Sequence, residues 1–108
     1  MAKVRLAKVQ EVPEGGMIVK DHGSTQVLLT RIRGSIYAMN DVCTHEGAPL
    51  HEGELGGSGG DGSFLLTCPW HDARFDVRTG KVSQDTAWAQ DAETFRVTIE
   101  GDDVFVDL

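Results

Sequence analysis

The chain is short of cysteine and of long apolar runs, and each shortage excludes a class of protein. Two cysteines occur in 108 residues, too few for the several disulfides that hold small secreted domains together. No apolar stretch approaches the roughly 20 residues of a membrane-spanning helix. The sequence therefore predicts one cytoplasmic domain without a membrane segment, large enough for a modest core of its own.

Basic side chains are also scarce. The chain has 10 basic and 17 acidic residues, a formal net charge of −7. Nucleic-acid binding needs a basic footprint, so this balance argues against it. A negative surface suits brief docking on a basic partner, and it equally suits simple solubility.

Apolar and β-branched residues recur in short alternating runs that predict an all-β fold. We expect a hairpin from Val27–Ile32 and Ser35–Asn40 around Arg33-Gly34, and a closing hairpin from Phe95–Glu100 and Val104–Asp107. A weaker hairpin across His22-Gly23-Ser24 and a strand from Val4 to Val9 complete the pattern. No segment carries a long helical period.

The middle of the chain is rich in glycine. Five glycines occupy eight positions between Gly56 and Ser63, which predicts a flexible loop. We interpret this run as a tolerated hairpin tip at the surface, with a docking loop as the alternative.

The two cysteines each stand close to a histidine. Cys43 and His45 lie in Cys-Thr-His, Cys68 and His71 lie in Cys-Pro-Trp-His, and 22 residues separate the two pairs. Ligands two or three positions apart fit within one tight turn, so two loops can close on one metal centre. In a Rieske centre two cysteines hold one iron of a [2Fe–2S] cluster and two histidines hold the other.

Two simpler interpretations stay open from the residues alone. The cysteines also suit buried thiols or one disulfide. A mixed Cys₂His₂ zinc site is the other alternative, although zinc fingers usually pair like ligands on each arm.

Longer stretches around both pairs resemble a known family. The matching segments are Cys43 to Leu50, Cys68 to His71, Arg74 to Gly80 and Val97 to Val106. In these the chain is similar to Rieske-type [2Fe–2S] ferredoxins of bacterial aromatic-ring-hydroxylating dioxygenase systems. The resemblance implies one [2Fe–2S] cluster held by Cys43, His45, Cys68 and His71, within a Rieske fold of short antiparallel sheets.

The same resemblance implies an electron carrier rather than an enzyme. It predicts a single domain of residues 1–108, with a loop-rich cluster-binding subdomain at about 41–87 inserted in a basal β domain. Its transient partners would be a flavin reductase that uses NAD(P)H and a terminal oxygenase, and a monomer is expected. A Rieske-like small subunit of a nitrite reductase and a zinc-stabilised binding module are the alternative functions.

Residues beside the ligands distinguish Rieske subtypes. Ala48 and Trp70 stand where respiratory relatives carry a second pair of cysteines, and Ala73 and Phe75 stand where they carry hydroxyl donors. Hydrogen bonds to the cluster sulfurs are one of the means of tuning the potential. The resemblance therefore predicts a disulfide-free centre of low potential. His22 and His51 are interpreted as surface histidines without a function.

Overall fold

A computed structural model describes residues 3–42, 47, 49–55, 64–69, 73–82 and 89–108. The described elements are short strands and two single-turn 3-10 helices, Val9–Glu11 and Leu50–Glu52. The strands are β1 (Lys3–Lys8), β2 (Met17–His22), β3 (Thr25–Ile32), β4 (Ser35–Asn40), β5 (Glu54–Leu55), β6 (Leu65–Thr67), β7 (Arg74–Asp76), β8 (Thr94–Phe95), β9 (Val97–Glu100) and β10 (Asp103–Asp107). In the described segments no helix is long and apolar enough to cross a membrane.

The described strands form three antiparallel sheets. A terminal sheet has the order β1-β10-β9, a central sheet has the order β2-β3-β4-β8, and a small sheet has the order β5-β6-β7. The predicted all-β fold of short antiparallel sheets is confirmed. The small sheet lies entirely within residues 41–87, the range in which we predicted the inserted subdomain.

The predicted hairpin around Arg33-Gly34 joins β3 to β4. Both turn residues have positive φ, 53° at Arg33 and 82° at Gly34, as a two-residue turn of type I′ requires. The carboxylate of Glu14 accepts hydrogen bonds from both turn amides, at 2.6 and 2.9 Å. These bonds help to hold Arg33 in a backbone region that side chains other than glycine seldom adopt.

The predicted strand Phe95–Glu100 is shared between two sheets. Phe95 pairs with Ala38 of the central sheet, whereas Val97–Glu100 pairs with β10 of the terminal sheet. At the division, the carbonyl of Arg96 accepts a hydrogen bond from the amide of Asp107. The sequence pattern cannot reveal this change of pairing partner, because apolar and polar residues keep alternating across Arg96.

Two apolar cores lie on opposite faces of the central sheet. Val27 and Leu29 of β3 pack with Val104 and Val106 of the terminal sheet. Leu28 and Ile32 face the other way, into a core that the small sheet completes. Burial on both faces explains why Val27, Leu28 and Leu29 of β3 are consecutive apolar residues rather than alternating with polar ones.

The small sheet requires glycine at position 53. The backbone of Gly53 lies so close to β6 that a Cβ atom there would stand 1.9 Å from the carbonyl oxygen of Thr67. No side chain fits that gap. The contact allows Glu54 to pair with Thr67 and Leu55 to pair with Leu66.

A carboxylate organises the turn that follows β7. Asp76 accepts hydrogen bonds from the backbone amide, Nε and Nη2 of Arg78, at 2.8, 3.0 and 2.7 Å. The side-chain hydrogen bond from Arg78 is the main reason that the pKa of Asp76 lies below its usual value of 3.8. The chain then turns at Gly80, whose φ is 78°.

Replacing Asp76 by asparagine tests the charge of this turn. Because the pKa is lower in the folded protein, the stabilisation is fully present above about pH 4 and is lost as the pH falls through the folded pKa. We expect Asp76→Asn to cost about 1 kcal/mol of unfolding free energy between pH 5 and 8, since Arg78 is partly exposed. Urea unfolding of both proteins across this range and down to pH 3 measures the difference. A difference of equal size at pH 3 would contradict the assignment, and Asp21→Asn serves as the control.

Replacing Gly53 by alanine tests the close approach of the two segments. We expect Gly53→Ala to lower the free energy of unfolding by about 1–3 kcal/mol, because the added methyl group forces the backbone away from Thr67. Gly23→Asn is the matched control. Gly23 has φ of 60° and no atom within 4 Å of an added Cβ, and asparagine tolerates that conformation. Equal unfolding midpoints in urea for Gly53→Ala and the wild type would refute the packing argument.

Candidate metal centre

Of the four predicted ligands, the structure describes one. Cys68 lies directly after β6 and is 1% exposed. Cys43, His45 and His71 lie outside the described residues, as do Ala48, Trp70, Trp88 and the glycine run 56–63. Within the described ranges there is no group of three metal-ligating side chains. The described residues do show how the chain enters and leaves each predicted ligand loop.

The first loop, residues 42–49, contains Cys43 and His45 and is closed at its base. The amide of Leu50 donates a 2.6 Å hydrogen bond to the carbonyl of Asp41, and Val42 forms a bridge with Pro49. Asp41 is itself fixed to β3, because its amide donates to the carbonyl of Gln26. The loop therefore begins and ends at neighbouring points beside the central sheet.

The side chain of Asp41 strengthens this closure. It is 1% exposed and accepts two hydrogen bonds of 2.7 Å, from the backbone amide of His51 at Oδ1 and from Nδ1 of His51 at Oδ2. In the contact with Oδ2 the imidazole is the donor when its Nδ1 carries the proton, and the carboxylate oxygen accepts.

The prediction that His51 is a surface histidine is right about its exposure, since its side chain is 40% exposed. That prediction missed the contact with Asp41. Two residues ten positions apart, outside any predicted strand, carry no periodic signal, so sequence patterns did not reveal the pair.

The second loop, residues 68–73, contains Cys68 and His71 and is also closed. The amide of Cys68 donates a 2.7 Å hydrogen bond to the carbonyl of Ala73. Cys68, Ala73 and Phe75 are all at most 1% exposed and belong to the core beside the small sheet. The loop thus starts from and returns to an apolar, fully packed base.

The bases of the two loops are neighbours in space. Gly53, three residues after the closure of the first loop at Leu50, contacts the carbonyl of Thr67, the residue before Cys68. The pairing of Glu54 with Thr67 continues this contact. Two loops, each with one thiol and one imidazole, therefore start from adjacent backbone.

The described bases of the two loops are compatible with a [2Fe–2S] cluster held between them. A buried cysteine at an apolar base suits a thiolate ligand shielded from water, because solvent access is one of the factors that set the potential of such clusters. Two closed loops from adjacent strands are the arrangement that a centre with mixed ligand pairs needs. The fit rests on the burial of Cys68 and on the two closures, at Asp41–Leu50 and at Cys68–Ala73.

Curated proteins resemble the chain along most of its length. It is 35% identical over 98 residues to the ferredoxin component of the naphthalene 1,2-dioxygenase system of Pseudomonas aeruginosa. The aligned region covers 91% of this chain and 88% of the relative. It is 34% identical over 108 residues to the 3-phenylpropionate/cinnamic acid dioxygenase ferredoxin subunit of Escherichia coli strain K12, covering 100% of this chain and 95% of that one. Both relatives are named as electron-carrying components, which agrees with the prediction that this chain is not an enzyme.

Solved structures agree in fold. The ferredoxin of carbazole 1,9a-dioxygenase from Nocardioides aromaticivorans IC177 matches with a TM-score of 0.84 and 27% identity, covering 98% of this chain and 97% of that chain. A ferredoxin from a complex of reduced oxygenase and oxidised ferredoxin in carbazole 1,9a-dioxygenase matches with a TM-score of 0.81 and 26% identity, covering 96% and 91%.

The model of the Rieske [2Fe–2S] domain family matches residues 2–103. This match spans both predicted ligand loops and the first strand of the closing hairpin. It confirms the predicted cofactor, one [2Fe–2S] cluster, and it disfavours the zinc-stabilised module. Together with the all-β fold and the ferredoxin relatives, it establishes that the chain belongs to the Rieske [2Fe–2S] domain family.

Proposed function

We propose that this protein is a one-electron carrier between a flavin-dependent NAD(P)H reductase and a terminal ring-hydroxylating oxygenase. The observation that supports it most is the full-length similarity to the ferredoxin components of two dioxygenase systems. We further propose that the protein is cytoplasmic and monomeric. We also propose that it is a single domain with a cluster-binding subdomain at about residues 41–87.

We assign the ligands to Cys43 and Cys68 on one iron and to His45 and His71 on the other. The cluster, when bound, accepts and releases one electron at a formally neutral oxidised centre, which favours reduction relative to centres with four thiolates. The protein itself holds the two proposed ligand loops in place and shields one of them. It closes both loops at their bases, and the apolar core around Cys68 excludes water from one side of the second loop.

The proposed partners follow from the relatives and from charge. A related carbazole ferredoxin has been solved in complex with its oxygenase, so a terminal oxygenase is the expected acceptor. The net charge of −7 favours brief electrostatic docking on basic surfaces, which suits a carrier that must release each partner quickly.

Replacing a histidine ligand tests the site. We expect the purified wild type to contain two irons and two labile sulfides and, once reduced, to give a Rieske EPR signal. His45→Ala and His71→Ala should each abolish that signal, because one iron loses a ligand. His22→Ala, at the exposed end of β2, is the control and should retain it. Zinc without iron or sulfide in fresh wild-type protein would overturn the ligand assignment.

The reduction potential is a separate prediction. Ala73 and Phe75 are buried and carry no hydroxyl, so neither side chain can donate a hydrogen bond to the centre. We expect a midpoint in the lower part of the Rieske range, which spans roughly −150 to +300 mV. Protein-film voltammetry measures it directly. A midpoint well above zero would contradict the prediction and would argue against NAD(P)H as the source of electrons.

A reconstituted chain of proteins tests the direction of electron flow. We expect the carrier to be reduced by a ferredoxin reductase with NADH or NADPH and to support product formation by an oxygenase of the ring-hydroxylating class. The His71→Ala protein should support neither step. Copurification with a large sirohaem subunit, and no reduction by such reductases, would favour the small subunit of a nitrite reductase instead.

A further inference from the structure

We propose that Asp41 and His51, neither of them a ligand, position the first ligand loop against the second and thereby control cluster retention and potential. This inference rests on the proposed assignment of Cys43 and His45 as ligands. We call the two residues the Asp41–His51 pair. No motif marks His51, and the relationship is visible only in the folded chain.

The pair joins the two ends of the first loop through side chains. Asp41 precedes the loop and His51 follows it, and both carboxylate oxygens of Asp41 are occupied by donors of the one residue, at 2.7 Å each. The backbone closure, in which Leu50 donates to the carbonyl of Asp41, lies beside these bonds. Two hydrogen bonds from a single residue fix its orientation as well as its distance.

Burial makes the pair sensitive to the loss of either partner. The Asp41 side chain is 1% exposed, and a buried carboxylate that loses its donor keeps the full penalty of desolvation. If the imidazole is removed, Asp41 must find water or another donor. Either change moves the residue from which the first loop departs.

The pair also connects the first loop to the second. His51 belongs to the 3-10 helix Leu50–Glu52, whose capping residue is Gly53. Gly53 packs on the carbonyl of Thr67, and Cys68 is the next residue. The path from Asp41 through His51 and Gly53 to Thr67 therefore joins the bases of both loops. We expect a change at His51 to shift the base of the first loop relative to the base of the second.

The charge of Asp41 is expected to affect the reduction potential of the cluster. Asp41 stands two residues before Cys43, so its negative charge lies near the proposed cluster. The hydrogen bond from His51 disperses part of that charge. A less compensated carboxylate opposes the added electron and lowers the potential, whereas a neutral residue at position 41 raises it.

Three variants test the positioning role, with the iron-loaded protein throughout. His51→Phe removes the side-chain donor but keeps a ring, His51→Asn places an amide donor near the position of Nδ1, and Asp41→Asn removes the charge. The rate of iron release from the oxidised protein to a chelator is the first measurement. We expect His51→Phe to release iron about tenfold faster than the wild type, the size usual for residues that support metal ligands. His51→Asn should restore slow release.

The potential of the cluster-bearing fraction is the second measurement, and a merely structural role would not move it in opposite directions. We expect a lower midpoint in His51→Phe, a higher midpoint in Asp41→Asn, and a midpoint near that of the wild type in His51→Asn. His22→Phe, which replaces an exposed histidine of β2, controls for loss of an imidazole elsewhere. Near-ultraviolet circular dichroism checks that each variant is folded, and Asp41→Asn still tests the proposal if His51→Phe does not fold.

The outcomes separate the two proposals. Iron release and a midpoint in His51→Phe equal to those of a wild type that holds its cluster would overturn the positioning role alone. Failure of His51→Asn to rescue would also overturn it, because the hydrogen bond would then not be the cause. A wild type that holds no iron and no labile sulfide would overturn the ligand assignment, and the positioning role with it.

Discussion

The rest of the structure depends on β3, Thr25–Ile32, which has apolar side chains on both of its faces. One face packs on the terminal sheet and the other packs on the core of the small sheet. Thr30 is the buried exception, and its hydroxyl is satisfied because it donates to the carbonyl of Gly16. Because both cores meet at this strand, the scaffold and the loops that carry the site share one support.

The two proposed ligand loops are both tied to this support at their bases. Asp41 is bonded to β3 through its backbone, and Cys68 is buried in the core that Leu28 and Ile32 help to form. The bases of the two loops meet at position 53, where only glycine fits because a Cβ atom would collide with the carbonyl oxygen of Thr67.

Much of the fold, and the [2Fe–2S] cofactor of the family, could be predicted from the sequence. The β3–β4 hairpin is marked by its turn residues, and alternation marks the closing hairpin. The division of Phe95–Glu100 between two sheets could not be predicted, because pairing partners are chosen by packing and not by local pattern. The role of His51 could not be predicted either, since it depends on a carboxylate that the fold buries beside it.

By itself the sequence indicated the cofactor and the four proposed ligands. The residue types in the two Cys–His pairs and their short spacing suit one cluster with mixed ligands, and the neighbouring Ala73 and Phe75 lack the hydroxyls that would raise its potential. Only the tertiary structure decided how the loops are held. Ligand identity is local and is therefore readable along the chain. By contrast, the closure at Asp41–His51 and the contact of Gly53 with Thr67 join distant residues, and they exist only once both cores have formed.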